Sequence, residues 1–239
     1  PIVNTHTCQV NKIEALMRCP DLAGGFYNTE ELIRNCEETS TIFDIDIAVL
    51  KQVNKDIEII KQQCAVSELG ISLNVSPNIF SCQSHVFNKW LFWLYELAQK
   101  TKVTLEITER ALLNKSSTTL SVFRDFKKRG IEIAIDDFGV GYSSLITLVD
   151  FPISVIKIDR SFVKKLNKDE TQYKQLINSI VTLADKLNLE VIAEGVEEAY
   201  QVNLLNKYGC HNLQGFYFSR ALNKPDIIQY IRNPQWSDI

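Results

Sequence analysis

The sequence predicts an α/β fold, and its features favour a (β/α)8 barrel of the TIM type. The chain has 239 residues, a common length for such a barrel. Short aliphatic runs alternate with longer segments of helical periodicity, a pattern typical of parallel strands connected by helices. Since no Pro-, Gly- or Ser-rich linker divides the chain, we expect one domain over residues 1–239. An open, doubly wound sheet is the alternative arrangement of the same elements.

The predicted strands are aliphatic runs that end close to a polar residue. They lie at 10–16, 70–75, 103–108, 131–136, 153–159, 190–194 and 212–218, with 1–4 as a further candidate. Residues 81–99 predict a helix whose apolar stripe we assign to packing rather than to a ligand site: Val86, Trp90, Trp93 and Leu97. Residues 169–187 predict another helix, with Asp169 and Gln172 as a capping box. Its stripe consists of Tyr173, Leu176, Ile177, Ile180, Ala184 and Leu187.

Composition and charge narrow the classes of function. The net charge of −3 provides no basic field, so we expect no nucleic-acid polymer as a partner. The six cysteines lack metal-ligand or redox spacing, which predicts free thiols in a reducing compartment and therefore a cytoplasmic domain. The three histidines are far apart, which argues against a zinc site. No apolar run reaches the roughly 18 residues of a membrane span, and no signal peptide is present.

The chain opens on Pro1 without a methionine, and we interpret it as a fragment of a larger multidomain protein. That parent protein could carry a membrane anchor of its own.

Polar side chains recur on one face of the predicted strands, near their carboxyl ends. Alternation along 131–136 places Ile133 and Ile135 on one face and Ala134 with Asp136 on the other. The remaining strands alternate likewise, so in a barrel one face packs on helices and the other points inward. Seven strands then deliver eight polar groups to the barrel mouth: Glu14, Asn74, Glu106, Asp136, Lys157, Asp159, Glu194 and Gln214.

Such a set of side chains favours divalent cations. At least five acids face one lysine, and burying them without compensation would cost many kcal/mol. Oxygen ligands suit Mg²⁺ or Mn²⁺ rather than Zn²⁺. We expect the strand to end at Asp136 and the chain to turn at Asp137 towards Gly139, so that both carboxylates face one rim. One aspartate bridging two ions about 4 Å apart, with its neighbour on the second, is a common two-metal arrangement.

Simpler interpretations stay open at this point. An acid at the end of a strand is usually a helix cap or a solvated loop residue, and Asp-Asp before a glycine loop can be only a turn. Lys157 would be a surface residue if the inward phase of its strand were reversed.

Seven motifs, in this order and at this spacing, resemble those of the EAL domains, bacterial phosphodiesterases that hydrolyse the second messenger cyclic di-GMP. The motifs are IEALMR at 13–18, NVS at 74–76, EITE at 106–109, DDFGVGYSS at 136–144, KID at 157–159, AEGVE at 193–197 and QGFYFS at 214–219. The resemblance covers nearly the whole chain. It implies a modified TIM barrel with one antiparallel strand and hydrolysis of cyclic di-GMP to linear pGpG with two Mg²⁺ or Mn²⁺ ions per site.

The resemblance also implies a role for each matching residue. The first metal would be held by Glu14, Asn74, Glu106 and Asp136, and the second by Asp136, Asp137 and Glu194. Lys157 would contact the attacking water, with Asp159 supporting the site. Substrate would be bound by Arg18, whose guanidinium suits a phosphate, and by Leu16 and Gln214 in the same pocket. Glu109 would pin the DDFGVGYSS loop, so that the catalytic set is Lys157, Glu194, Glu109 and Asp159.

The same resemblance implies partners outside the site. It implies a homodimer through the 137–148 region and a fused sensory or GGDEF domain that is missing from this fragment. Two positions depart from the family pattern: Cys19 stands where a tryptophan is usual, and Asn28 or a neighbour where a proline is usual. These departures concern the packing of the substrate loop rather than the chemistry.

Two other functions are alternatives to a phosphodiesterase. A catalytically silent cyclic di-GMP receptor would typically lose metal ligands or the loop glutamate, whereas this chain keeps all of them. An aldolase using Lys157 as a Schiff-base lysine would need a depressed pKa, and a ring of carboxylates has the opposite effect.

Overall fold

The computed structural model describes residues 1–112, 117–140, 145–166, 170–234 and 236, and its centre is a closed barrel of eight strands. The strands are β1 (Ile2–Asn4), β2 (Gln9–Ala15), β3 (Gly70–Asn74), β4 (Val103–Thr108), β5 (Glu132–Phe138), β6 (Val155–Ile158), β7 (Glu190–Ala193) and β8 (Asn212–Leu213). They pair in sequence order, and β1 closes the barrel against β8. The barrel prediction is confirmed, and the open-sheet alternative is wrong.

One strand runs against the others. β1 is antiparallel to both of its neighbours, whereas every pair from β2 to β8 is parallel. Antiparallel neighbours need only a short turn, so residues 5–8 connect β1 to β2 without a helix. The structure is therefore a modified TIM barrel with one antiparallel strand, as expected.

Nine helices of the described chain surround the barrel: α1 (Thr29–Glu38), α2 (Ile42–Cys64), α3 (Ser84–Lys100), α4 (Ser117–Lys128), α5 (Leu145–Asp150), α6 (Arg160–Val163), α7 (Thr171–Lys186), α8 (Ala199–Lys207) and α9 (Lys224–Arg232). On α3, Trp90 and Leu97 are fully buried, which confirms the packing role of that stripe. In the part of the chain described, no helix has the length and apolar character needed to cross a membrane.

Several sequence-based expectations for the elements need correction. On α7 the buried face runs through Ile177, Ile180 and Ala184, while Leu176 lies beside it and is exposed. The predicted cap Asp169 lies outside the described residues. β8 spans Asn212–Leu213 instead of 212–218, because residues 215–218 form turns after it.

The two faces of the strands lead to different environments, as the alternation predicts. Ile133, Ile135, Ile156 and Ile158 belong to the large core between barrel and helices. Inside the barrel a separate small cluster, which we call the apolar layer, consists of Ile2, Ala134, Val155 and Ile192. Because Ala134 lies between Glu132 and Asp136, and Ile192 lies between Glu190 and Glu194, this layer separates polar groups at the two ends of the barrel.

Candidate active site

The carboxyl ends of the strands converge on Lys157 of β6, which is 1% exposed. Its Nζ lies 2.6 Å from a carboxylate oxygen of Glu106 on β4 and 2.6 Å from one of Glu194 after β7. Asp136 on β5 is 3.2 Å away and Glu14 on β2 is 3.9 Å away. Four strands therefore bring four carboxylates around one ammonium group.

Two amides complete this cluster by holding Glu14. Asn74, at the end of β3, donates to Glu14 Oε1 at 2.8 Å, and Gln214, just after β8, donates to Glu14 Oε2 at 2.7 Å. The register pairs Asn74 with Glu106 on the neighbouring strand. The predicted metal ligands Glu14, Asn74, Glu106 and Asp136 thus lie in one group, and Lys157 is no surface residue.

The adjacent aspartates occupy a β-bulge inside the strand, and the expected turn towards Gly139 begins at Asp137, whose carbonyl accepts from the N–H of Val140. β5 continues to Phe138, and its register with β6 shifts so that Asp136 and Asp137 together face the single residue Lys157. Asp137 adopts a left-handed conformation with φ 53°, which is uncommon for a residue with a side chain. A regular strand would point consecutive side chains to opposite faces, whereas the bulge redirects Asp137.

The bulge creates a group of three carboxylates that could hold a metal ion. One oxygen each from Asp136, Asp137 and Glu194 lie within 4.8 Å of one another. Glu194 follows β7 directly and precedes Gly195, where an added Cβ would lie 2.4 Å from Cβ of Arg160. Glycine at this position therefore lets α6 approach closely beside the cluster. These three residues are the ones that the family resemblance implies for the second metal.

The electrostatics of the cluster show an excess of negative charge. Burial raises the pKa of Glu106 to about 8 and that of Glu194 to about 7, and Lys157 only partly opposes this. Burial also raises the pKa of Asp137, with repulsion from Asp136 and Asp159 adding to it. For Glu14 burial acts in the same direction, but Lys157 and the two amides outweigh it and lower the pKa.

Lys157 behaves in the opposite way. Burial alone would lower its pKa, but the surrounding carboxylates raise it well above the usual value. A Schiff-base lysine needs a depressed pKa, so this environment speaks against the aldolase alternative.

The donor set fits divalent cations. Glu106 Oε1 and Asp136 Oδ1 are buried and, among the described residues, accept no hydrogen bond. Asp136 Oδ1 faces the Lys157 ammonium at 3.2 Å, but one ammonium cannot satisfy four carboxylates, and a hard cation is a partner that buried carboxylate oxygens favour. Asn74 contributes a neutral amide oxygen, and no sulfur or imidazole ligand is part of this cluster, so the chemistry suits Mg²⁺ or Mn²⁺.

A cavity of about 870 Å³ opens above the cluster. It is lined by Glu14, Asp136, Lys157 and Glu194 together with three predicted substrate-binding residues, Leu16, Arg18 and Gln214. Arg18 is exposed, and its Nη1 donates to the Met17 carbonyl at 2.8 Å. The volume is in the range of small-molecule sites. Asn28 caps α1 by accepting from the N–H of Glu31, so the departure at Asn28 supplies a helix cap.

Two predicted residues lie beside the cluster rather than within the cavity lining. Asp159 caps α6 by accepting from the N–H of Ser161 at 2.9 Å, and its carboxylate also neighbours Asp137. Glu109 is buried in a short 3-10 helix, Glu109–Leu112, directly after β4. Its predicted contact with the DDFGVGYSS loop involves residues 141–144, which lie outside the described residues.

A second ionic cluster at the opposite end of the barrel was missed by the sequence reasoning. Lys12, 4% exposed, lies 3.4 Å from Glu132 and 3.8 Å from Glu190, and Lys102 lies 2.6 Å from Glu132. These residues share the inward phase of Glu14, Asp136 and Glu194, so the same period-two pattern could have located them. They close the amino end of the barrel.

Fold and site together define a modified TIM barrel whose mouth carries an acidic, oxygen-rich cluster around one buried lysine. A family model described as the EAL domain matches residues 1–221, and the chain belongs to the EAL domain family. The relationship inferred from the seven motifs is confirmed.

Named relatives and solved structures agree with this membership. The cyclic di-GMP phosphodiesterase PdeR of Escherichia coli K12 is 34% identical over 218 residues, which are 90% of this chain and 32% of PdeR. The chain therefore spans about a third of that relative's length. The PaMucR phosphodiesterase in complex with c-di-GMP has a TM-score of 0.84 and 28% identity, covering 95% of this chain and 91% of that one. BlrP1 of Klebsiella pneumoniae, in a manganese/cy-diGMP complex, has a TM-score of 0.73 and 26% identity, covering 92% and 54%.

Proposed function

We propose that the chain is a metal-dependent phosphodiesterase that hydrolyses cyclic di-GMP to linear pGpG. The observation that carries the proposal is the β-bulge, which turns Asp137 to the same side as Asp136. One carboxylate oxygen each from Asp136, Asp137 and Glu194 therefore lies within 4.8 Å of the others, beside Lys157. A turn or a helix cap requires no such convergence. Membership of the EAL domain family and the names of its phosphodiesterase relatives support the choice of substrate.

Two groups of residues would hold the cations. Glu14, Asn74, Glu106 and Asp136 form the first group, and Asp136, Asp137 and Glu194 form the second. Bound Mg²⁺ or Mn²⁺ would supply charge neutralisation at the scissile phosphate and a water of lowered pKa. Gln214 would keep Glu14 oriented through its 2.7 Å hydrogen bond, as outer partners of metal ligands generally do.

Lys157 would orient the attacking water as a hydrogen-bond donor. In the metal-free cluster the surrounding carboxylates raise the pKa of Lys157, so its ammonium group is a hydrogen-bond donor there. Asp159 would support Asp137 from the start of α6, and Glu109 would support the site from the end of β4.

Arg18, Leu16 and Gln214 would bind the dinucleotide in the cavity above the metals. Arg18 is exposed at the mouth, where its guanidinium can meet a phosphate with two parallel hydrogen bonds. Leu16 is 42% exposed and offers an apolar contact at the same opening. We further propose, on family grounds, that the domain acts as a homodimer through the 137–148 region and within a longer protein with a sensory or GGDEF domain.

The test is a product assay on the purified chain. Cyclic di-GMP is incubated with Mn²⁺, Mg²⁺ or EDTA, and the products are separated chromatographically. We expect pGpG with either metal and none with EDTA. Absence of pGpG with every metal would contradict the enzyme, and cyclic di-GMP binding without turnover would instead indicate a receptor.

The Lys157→Ala variant tests the role of the lysine. We expect turnover to be lost while calorimetric binding of cyclic di-GMP in Ca²⁺ is largely kept. Lys186→Ala is the matched control, because Lys186 lies exposed at the end of α7. Loss of binding alone in Lys157→Ala would contradict the assignment of water positioning.

A further inference from the structure

The segment that leaves β3 connects the proposed metal site to α1. β3 ends at Asn74, whose amide donates to Glu14, and a 3-10 helix, Pro77–Ser81, begins three residues later. Between them lies Ser76, which is 9% exposed. Because only Val75 separates Ser76 from Asn74, the position of Ser76 determines how the chain carries the Asn74 side chain.

Ser76 is held by two carboxylates from two different helices. Its Oγ donates to Glu37 Oε1 on α1 at 2.7 Å, and its backbone N–H donates to the carboxylate of Asp46 on α2. The same Oγ accepts from the N–H of Asn78 at 3.4 Å. One of these hydrogen bonds comes from each helix, so both α1 and α2 restrain this residue.

The bond to Glu37 is also the polar attachment of α1 to the barrel. α1 has no buried residue. Among the hydrogen bonds and ion pairs of the described residues, Glu37–Ser76 is the one that joins α1 to another element. α1 follows the segment that carries Arg18, the proposed phosphate ligand. The attachment of α1 to the barrel and the position of the Asn74 side chain therefore both involve Ser76.

We propose that Ser76 is a positioning residue that couples α1, through Glu37, to the metal ligands Asn74 and Glu14. Asp46 of α2 holds the backbone N–H of Ser76. This inference rests on the proposed metal site but not on turnover. Displacement of α1 would loosen Asn74 and weaken the first metal, and metal binding would in turn restrain α1, since coupling between two sites is reciprocal.

The test measures Mn²⁺ affinity by calorimetry, with metal-free thermal unfolding as the check on folding. Ser76→Ala removes the hydroxyl, and Glu37→Ala removes its acceptor from a helix with no buried residue, so the barrel stays folded. Outer partners of metal ligands typically contribute 10- to 100-fold in metal affinity, and we expect a loss of about tenfold in both variants. Glu37→Gln keeps an acceptor oxygen, and we expect it to retain affinity within about threefold.

The matched control is Glu38→Ala, which removes an exposed carboxylate from the same helix. Its Mn²⁺ affinity should equal that of the unmodified chain. Hydrogen exchange of α1 amides provides a second readout: Mn²⁺ should slow exchange in the unmodified chain but not in Glu37→Ala.

The outcomes separate the two proposals. Unchanged Mn²⁺ affinity in Ser76→Ala and Glu37→Ala, or an equal loss in Glu38→Ala, would overturn the coupling while the metal site stands. Faster hydrogen exchange in α1 with unchanged Mn²⁺ affinity would mean that Ser76 only holds α1 in place, and it would also overturn the coupling. If the unmodified chain takes up no Mn²⁺, the proposed metal site itself fails.

Discussion

Asp46 of α2 is a half-buried acid in an unfavourable environment, and it predicts a specific dependence of stability on pH. Its Oδ2 is buried and accepts no hydrogen bond from the described residues. Burial raises its pKa from 3.8 to about 7, repulsion from Glu37 adds to the rise, and the N–H of Ser76 opposes it. The perturbation that isolates this effect is Asp46→Asn, which keeps an acceptor for Ser76 but cannot ionise.

The sign and size of the effect follow from the two pKa values. In the unfolded chain the carboxyl ionises near its ordinary pKa, whereas the folded chain keeps the proton up to about pH 7. Because the folded state binds more protons in this window, the free energy of unfolding falls as pH rises from about 4 to 7 and levels off above. At about 1.4 kcal/mol per pKa unit, the loss between pH 5 and pH 8 is about 2 to 3 kcal/mol.

The assay is urea unfolding at pH 5, 6, 7 and 8, followed by tryptophan fluorescence. We compare the unfolding free energy of Asp46→Asn with that of the unmodified chain at each pH, because groups that titrate in both proteins cancel. The variant should gain about 2 to 3 kcal/mol relative to the unmodified chain between pH 5 and pH 8. Asp44→Asn on the exposed face of the same helix is the control and should show no trend. A difference for Asp46→Asn that does not change with pH would refute the reasoning.

Three further predictions concern the metals, the barrel mouth and the barrel floor. Asp136→Asn should reduce Mn²⁺ binding at both proposed sites, whereas Asp137→Asn should reduce it mainly at the second. Calorimetry measures the number of Mn²⁺ ions bound per chain, and the same number in both variants would mean that the bulge is only structural. Gly215→Ala should lower the free energy of unfolding in urea by at least about 2 kcal/mol, because the added Cβ would lie 2.1 Å from the carbonyl oxygen of Val196. Unchanged stability would contradict this contact. Lys12→Met should lower the free energy of unfolding by about 1 to 3 kcal/mol in the same assay, while the Mn²⁺ affinity stays constant. A change in Mn²⁺ affinity would contradict the separation of the two ends of the barrel.

Much of this architecture could be predicted because parallel strands obey simple alternation. The inward phase of Glu14, Glu106, Asp136, Lys157 and Glu194 follows from the period of two, and the structure brings all five together. Their convergence needs only a closed barrel, which the length and the strand count already favoured.

The parts that could not be predicted depend on local backbone geometry or on contacts between distant segments. The bulge at Asp136 and Asp137 is a shift of register against β6, and no residue type in the stretch specifies it uniquely. β8 is short because the chain turns at residues 215–218, where Gly215 packs against the backbone of Val196 after the neighbouring strand β7. Leu176 is exposed because the face of α7 that packs against the barrel is narrower than the set of apolar residues along the helix.

The apolar layer of Ile2, Ala134, Val155 and Ile192 divides the interior of the barrel into two polar compartments. Lys12, Glu132 and Glu190 lie on the amino side of this layer, and Lys157 with its carboxylates lies on the carboxyl side. The cavity described above opens to the carboxyl-side compartment, so a ligand of the proposed site would enter and leave through it. The ion pairs of Lys12 on the amino side can therefore stabilise the barrel without taking part in the chemistry proposed for the mouth.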